Sequence, residues 1–339
     1  MKKIVLLVLC FALLFSLVAC GTKSPAETET KTETETSLPA NPASDFEYDV
    51  LESGRGISLY RYLGTAENVV IPDEIDGFPV LVLDSRINEK QERIGTFENT
   101  PVKTVVIPNS VKLIGMNVFR NCKQLTSVVM SENCKYISSA AFENCEKLEY
   151  IDLSSSAIQL IESRVFAGCS SLSEVKFPDT LEEIGEEAFL HCSALTEVRL
   201  PPNLAKIGSF AFGNCTALKT VTIPAKLSLW VYKDSPFREV PSLEKVVFEE
   251  GRESIDGITF FDVTTDVEFI IPKSAKSFST YTFVLQGPCR FVFLGDCPKS
   301  PEEFWEFYRK GEPTIYYDPD TKGWDTCPWK DMYPMKPLK

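Results

Sequence analysis

Apolar residues between positions 105 and 218 recur with a spacing of 23 or 24 residues. Each segment has an alternating run such as Val105-Val106-Ile107, then an isolated Ile, then an Ala-Phe or Val-Phe pair. A cysteine follows each Phe by three residues, and a leucine follows each cysteine by three. The repeated cysteines are Cys122, Cys145, Cys169, Cys192 and Cys215. Weaker copies lie on both sides, so the repeat covers most of residues 60–297.

The pattern within one unit predicts three short elements. The alternating run has a period of two and predicts a strand with one buried face, which a following Pro often ends. A second extended piece closes at an Ile-Gly pair, which we interpret as a turn glycine. The Ala-Phe-x-x-Cys-x-x-Leu stretch predicts a tight helical or 3₁₀ turn that returns the chain.

One such unit cannot bury its own apolar face, whereas units stacked ~4.8 Å apart share a continuous core. We therefore predict a repeat solenoid, mostly β with short 3₁₀ or helical turns. The Phe, Cys and Leu positions should form columns along its axis. The Phe column would contain Phe119, Phe142, Phe166, Phe189 and Phe212.

The unit Val-x-Ile-Pro-x-x-Val-x-x-Ile-Gly-x-x-Ala-Phe-x-x-Cys-x-x-Leu resembles the BspA-like leucine-rich repeat of bacterial surface proteins. Residues 60–80 are similar to the segment that often precedes such repeats. The resemblance implies a solenoid of the leucine-rich-repeat type, with roles in surface attachment and protein binding and no known catalytic site. The sequence departs from the pattern at an insertion, residues 81–93, and after Pro224, where the Ile-Gly and Ala-Phe pairs are lost.

The first 20 residues have the features of an export signal. Lys2 and Lys3 precede an apolar run over residues 4–18, which is short for a membrane span but suits a secretory signal. The Leu17-Val18-Ala19-Cys20 tetrapeptide resembles the lipobox of bacterial lipoproteins, which implies lipid attachment at Cys20. An ordinary secretory signal with an incidental Cys20 is the alternative.

The chain divides into five regions on this interpretation. Residues 1–19 are the signal peptide, and residues 20–44 are the lipidated N-terminus with a Thr-, Glu- and Pro-rich tether that we expect to be disordered. Residues 45–104 form an N-terminal cap with degenerate repeats, 105–297 the solenoid, and 298–339 an aromatic C-terminal cap. We expect an exported, surface-exposed protein that meets the membrane only through its N-terminal lipid.

Charge and motifs exclude several classes of function. The formal net charge is −13, and loss of the leader makes it more negative, which argues against binding to nucleic acid or to anionic lipid. The single histidine, His191, takes a position where other repeats have Asn or Gly, so we interpret it as a turn residue. No phosphate-binding, zinc or calcium motif is apparent. We predict neither catalytic residues nor a metal or cofactor.

The cysteines have two interpretations. Those in the repeat column should be buried and reduced, acting as small apolar residues. Cys289, Cys297 and Cys327 lie outside the column, and a disulfide among them is a separate hypothesis, because exported proteins often contain disulfides.

Two surfaces are candidates for binding. The first is the row of residues at the outward positions of the repeated strands: Val106, Val129, Asp152, Lys176, Arg199, Thr222 and Val247. This row would bind a protein on a host or neighbouring cell, although β-propensity alone also explains its valines, and Asp152 and Lys176 could simply pair with each other. The second is the C-terminal segment with Tyr316, Trp324 and Trp329, which could stack on a glycan or close the end of the solenoid.

Overall fold

The computed structural model describes residues 39–228, 235–255, 260–263, 266–278, 283–285, 287–299, 313–327, 329–331 and 333–339. Residues Asn41–Lys339 form one compact unit. The predicted signal peptide, Cys20 and nearly all of the predicted tether lie outside the described residues.

Short strands account for almost all of the regular structure in the described residues. They are β1 Phe46–Val50, β2 Ile57–Tyr62, β3 Asn68–Val70, β4 Glu74–Ile75, β5 Phe78–Leu83, β6 Ser85–Ile87, β7 Arg93–Gly95, β8 Thr104–Val106, β9 Leu113–Ile114, β10 Ser127–Val129, β11 Tyr136–Ile137, β12 Tyr150–Asp152, β13 Leu160–Ile161, β14 Glu174–Lys176, β15 Glu183–Ile184, β16 Glu197–Arg199, β17 Lys206–Ile207, β18 Thr220–Ile223, β19 Lys245–Phe248, β20 Ser254–Ile255, β21 Phe260–Val263, β22 Val267–Ile271, β23 Ser277–Phe278, β24 Phe283–Leu285, β25 Cys289–Phe293, β26 Thr314–Tyr317 and β27 Met335–Pro337. Two 3₁₀ turns, Ala43–Asp45 and Trp324–Thr326, are the other regular elements within the described ranges.

One side of the coils, the strand face, is formed by parallel strands. It consists of three hydrogen-bonded groups, β3-β8-β10, β12-β14 and β16-β18-β19-β22-β25-β26-β27. Each repeated alternating run supplies one strand, as predicted. β26 and β27 extend this sheet into the segment that was predicted to be a C-terminal cap.

A second parallel ladder forms another side of the coils. It runs β2-β5-β9-β11-β13-β15-β17 and contains the Ile of each repeat, and β1 pairs antiparallel with β2 at its N-terminal end. The third side consists of successive tight turns, in which Cys122 N donates to Phe119 O and Leu125 N donates to Cys122 O. The fold is thus a β-solenoid with almost no helix in the described residues, as the pattern predicted.

The predicted phenylalanine column is confirmed. Phe119, Phe142, Phe166, Phe189 and Phe212 are fully buried, and their rings stack at centroid distances of 4.9, 5.3, 5.1 and 4.9 Å. The column continues to Phe97 on one side and to Phe237 and Phe260 on the other. Offset aromatic stacking adds to the area that each ring buries, so this column is the main apolar spine of the solenoid.

The repeat cysteines form a second buried column, and all of them are free thiols, as expected. Each Sγ donates to the carbonyl of a Phe in the preceding coil: Cys122 to Phe97 at 3.0 Å and Cys145 to Phe119 at 3.2 Å, for example. The same bond recurs at Cys169, Cys192 and Cys215. The thiol is therefore both a small apolar group and a donor that satisfies a buried carbonyl.

The glycine of the Ile-Gly pair has a different role from the predicted one. Neither Gly185 nor Gly208 has a positive φ, so neither is a turn glycine in the sense expected. A Cβ at Gly208 would lie 2.4 Å from Glu186 N, and one at Gly185 would lie 2.7 Å from the Glu162 carbonyl carbon. The glycines thus permit close approach between adjacent coils.

Two positions in each of these coils are left-handed instead, the residue before the column cysteine and the residue four positions before that one. Asn121, Asn144 and Asn214 have φ values of 58°, 60° and 56°, and His191 has 63°. Asn tolerates this conformation better than other non-glycine residues. The interpretation of His191 as a turn residue is confirmed.

The repeat becomes irregular after Pro224, as its loss of motif predicted. The strand face continues without interruption through β18, β19, β22 and β25. On the turn side, however, β21 and β24 pair as strands where the earlier coils have turns.

Candidate functional site

The outward row of the strand face is continuous along each hydrogen-bonded group. Val106 is in register with Val129, Asp152 with Lys176, and Arg199 with Thr222. The structure therefore brings the predicted row together as neighbouring side chains on successive coils.

The row extends beyond the residues identified from the sequence. The register continues from Val247 to Ile270, Val292, Tyr316 and Lys336, and Val70 precedes Val106 at the other end. The alternating run Phe269-Ile270-Ile271 was visible in the sequence as a weak repeat, whereas Tyr316 lies in a segment without repeat motifs.

The valines of the row are half-buried rather than openly exposed. Val106 and Val247 alternate with buried neighbours on both sides, as expected for one face of a sheet, and Val129 follows the buried Val128; all three valines are themselves partly covered. In contrast, Lys176 and Arg199 are exposed, with side-chain exposures of 50% and 77%. Among the residues identified from the sequence, the most exposed are thus the charged ones in the middle of the row.

Asp152 and Lys176 belong to a local network. Tyr150 donates to Asp152 Oδ2 at 2.6 Å, Lys176 Nζ lies 3.8 Å from the same carboxylate, and the ammonium sits 5.3 Å from the Tyr150 ring centroid. Partial burial acts to raise the pKa of Asp152, but hydrogen bonds from Ser154 and Tyr150 and the charge of Lys176 outweigh it, so the pKa is lowered. The carboxylate is therefore ionised and already partnered at neutral pH.

The side chain of Arg199 is more exposed than that of Lys176. Its guanidinium contacts Glu249 at 3.1 Å, across two coils, and three quarters of the side chain is exposed. An exposed pair of this kind is worth under about 1 kcal/mol and is readily exchanged for another anionic partner.

The C-terminal aromatic residues pack mainly into the end of the solenoid. Trp324 and Trp329 are buried, and Trp324 stacks on Tyr317 at 5.0 Å. Phe293 contacts both indoles, at 5.3 and 5.4 Å. Tyr316 is half-buried on the strand face, and Tyr317 and Tyr333 of the same segment are also half-buried.

Other chemistry is sparse in the part of the chain that the structure describes. Within it, no three or more His, Cys, Asp or Glu side chains gather as a metal site. Over the same residues, no helix has the length and hydropathy needed to cross a membrane.

The architecture and repeat define a bacterial-type leucine-rich-repeat protein, a class of solenoid that is typically non-catalytic. The model of the BspA-type leucine-rich repeat region matches residues 93–190 and 159–286, with six copies of the repeat. The chain therefore belongs to the BspA-type leucine-rich-repeat family, as the resemblance predicted.

Solved structures similar to this chain are also bacterial leucine-rich-repeat proteins. The Treponema (T. pallidum) leucine-rich-repeat protein is 28% identical over 62% of this chain and 86% of its own, with a TM-score of 0.42. A leucine-rich-repeat protein of Bacteroides ovatus is 18% identical over 80% of this chain and 70% of its own, with a TM-score of 0.44. A leucine-rich cell surface protein of Faecalibacterium prausnitzii is 17% identical over 76% and 96%, with a TM-score of 0.38. No curated protein matches the chain.

Proposed function

We propose that this protein is exported, is held at the bacterial surface by a lipid on Cys20, and binds a protein partner through its strand face. BspA-type proteins are often surface-exposed, and the N-terminal lipobox-like sequence supports export with lipid attachment. The observation that carries the binding role is the outward row, which runs in register along the strands of each sheet and has exposed charged side chains at its centre.

The geometry of the row suits an extended protein surface better than a small ligand. Repeat solenoids bind partners over their long stacked faces, and their binding residues are distributed over several coils. Lys176 and Arg199, on neighbouring coils, offer cationic contacts to acidic side chains of a partner, and half-buried valines lie towards both ends of the row. Charged contacts of this type mainly set specificity and association rate.

Two matched substitutions test the face. Arg199→Glu reverses an exposed charge on the strand face, whereas Lys206→Glu reverses one of similar exposure on the second ladder, where Lys206 pairs with Glu183 at 3.5 Å. The soluble fragment from Asn41 onward, immobilised, would be offered surface proteins of neighbouring bacterial and host cells. We expect Arg199→Glu to reduce capture of the specific partner about tenfold and Lys206→Glu to leave it unchanged. Equal effects of the two changes would contradict the proposed face.

The lipid anchor has its own test. Cells producing the full chain would be fed a fatty acid carrying a clickable alkyne, and the protein would be probed for the label. We expect labelling of the natural sequence and none of Cys20→Ala, with Cys10→Ala as the matched control because Cys10 lies within the leader. Label on Cys20→Ala would contradict lipid attachment at Cys20.

Glycan binding has less structural support. The indoles of Trp324 and Trp329 are buried, so they are not available to stack on a sugar. Under this alternative, Tyr316→Ala should abolish glycan retention and Arg199→Glu should not.

A further inference from the structure

Two cysteines near the C-terminus lie in segments that the fold ties together. Cys297 N donates to Lys322 O at 2.8 Å, and Lys322 N donates in return to Asp296 Oδ1 at 2.8 Å. These two bonds fix residues 296–297 against residue 322 independently of any sulfur chemistry.

The chain then turns directly over Cys297. Gly323 has a φ of 86°, and a Cβ built on it would lie 3.2 Å from Cys297 Cβ. The 3₁₀ turn Trp324–Thr326 follows, and Cys327 N donates to Trp324 O at 3.4 Å, which closes a tight turn. Cys327 is therefore separated by one tight turn from Gly323, the residue that lies against Cys297 and takes the left-handed conformation without strain.

The two thiols affect each other's ionisation: interaction with Cys327, together with burial, raises the pKa of Cys297, and interaction with Cys297 lowers the pKa of Cys327. The Cys297 Sγ also donates to the carbonyl of Pro298, at 3.8 Å. The column cysteines differ, because each of them donates to a Phe carbonyl and is fully buried. Cys297 is half-buried, so a reagent can reach the pair.

We propose that Cys297 and Cys327 form a disulfide that ties residues 322–327 to the coil ending at Cys297, while Cys289 and the column cysteines stay reduced. The oxidant is a disulfide, either a low-molecular-weight one or that of a thiol–disulfide oxidoreductase, as found in the surroundings of exported proteins. One thiolate of the pair attacks the oxidant disulfide and releases one thiol of the oxidant. The second cysteine loses its proton, attacks the mixed disulfide, and releases the other thiol. Two protein thiols are oxidised and one oxidant disulfide is reduced.

Mass mapping of the full chain tests the pairing. The protein, purified in detergent and fully reduced, would be incubated folded with excess oxidised glutathione, quenched in acid, and then alkylated in denaturant and digested. We expect a peptide pair that joins Cys297 to Cys327 and has lost two hydrogens, with Cys122, Cys145 and Cys289 alkylated. Cys289→Ser should give the same linked pair, whereas Cys327→Ser should leave Cys297 as a thiol or a glutathione adduct.

Melting temperature supplies a second measurement that does not depend on peptide recovery. The closed loop of about 30 residues should raise the melting temperature of the oxidised protein by roughly 5–10 °C, and the rise should vanish in Cys327→Ser but persist in Cys289→Ser. Alkylation of both Cys297 and Cys327 after oxidation, or a linkage that includes Cys289, would overturn the proposal. The oxidant is supplied in the tube, so this result is independent of the proposed export and binding.

Discussion

The buried thiols of the cysteine column, together with those of Cys134 and Cys289 outside it, should make the solenoid sensitive to alkaline pH. Burial raises the pKa of Cys122, Cys134, Cys215 and Cys289 to about 12, from an ordinary value of 9.0. A thiol whose pKa is raised in the folded state makes its full contribution to stability below pH 9, the ordinary pKa that it has in the unfolded chain. That contribution is lost as the pH rises from 9 towards 12, because the unfolded chain ionises first.

The size of the effect follows from these values. At pH 10, a thiol with a pKa of 9.0 unfolded and about 12 folded lowers the free energy of unfolding by RT ln 11, about 1.4 kcal/mol. The four thiols together amount to about 6 kcal/mol, and Cys145 and Cys192, whose pKa values burial raises further, add to this. Domains are typically stable by about 5–15 kcal/mol, so a large part of the stability should be lost by pH 10.

Urea unfolding at pH 7 and pH 10, at constant ionic strength and with a phosphine reductant, measures this loss. Lysine and tyrosine also titrate in this range, so a variant is needed to isolate the thiols. Cys122→Ala should lower stability at pH 7 but lose about 1.4 kcal/mol less than the natural sequence between pH 7 and pH 10. Leu125→Ala is the matched control, because it truncates an equally buried side chain three residues away without removing a titrating group.

The quantity to compare is the change in the free energy of unfolding between pH 7 and pH 10. This change is compared regardless of how much each substitution lowers stability at pH 7. If Cys122→Ala and the natural sequence lose the same free energy of unfolding between pH 7 and pH 10, thiol ionisation is not the cause. The reasoning would also be contradicted if Leu125→Ala lost less free energy of unfolding than the natural sequence between pH 7 and pH 10.

Three further predictions concern stability and can be measured by urea unfolding at pH 7. Phe166→Ala, in the middle of the aromatic column, should cost about 3–5 kcal/mol, and Phe166→Leu clearly less, because the cavity is smaller. Equal costs would argue against packing as the cause. Gly208→Ala should cost about 2 kcal/mol or more, because its Cβ would collide with the backbone of the preceding coil, whereas Ser138→Ala at the equivalent position should stay within about 0.5 kcal/mol. Glu143→Gln should cost about 2–3 kcal/mol, because this buried carboxylate contacts two arginines, at 2.9 and 2.5 Å, while Glu253→Gln in an exposed pair should cost under about 0.5 kcal/mol. A negligible cost for Glu143→Gln would show that the arginines find other partners.

Sequence periodicity was sufficient to predict the parts of the fold that depend on repetition. Phe119 and Phe142 occupy the same position in consecutive units, so stacking the units necessarily stacks their rings. The same reasoning placed Cys122 and Cys145 in a buried column and His191 in a turn. Composition contributed little to these results, because position within the unit determines burial.

Details that depend on the distance between coils could not be read from the sequence. The close approach at Gly208 and the partial cover of the valines in the outward row arise from how tightly neighbouring coils pack, which no single unit encodes. The extension of the strand face to Tyr316 was not recognised, because β26 lacks the residues that mark the other coils. The proximity of Cys297 and Cys327 depends on the turn at Gly323 in the same way.

Lipid attachment at Cys20 and the division of the chain into five regions stay predictions. Cys20 lies outside the described residues, and its assignment depends on the order of charge, apolar run and cysteine alone. The binding role of the outward row is likewise a prediction, now with defined neighbours and exposures for each side chain.

The parallel register between consecutive coils has a consequence for how such proteins evolve. Each coil contacts mainly its two neighbours, so an in-frame duplication or deletion of one 23-residue unit changes the height of the stack by ~4.8 Å and leaves the remaining contacts in place. The duplication or deletion of 23 residues, which disrupts most folds, therefore changes only the length of the solenoid. Unequal recombination between repeats can lengthen or shorten the molecule one step at a time, while its two ends are inherited unchanged.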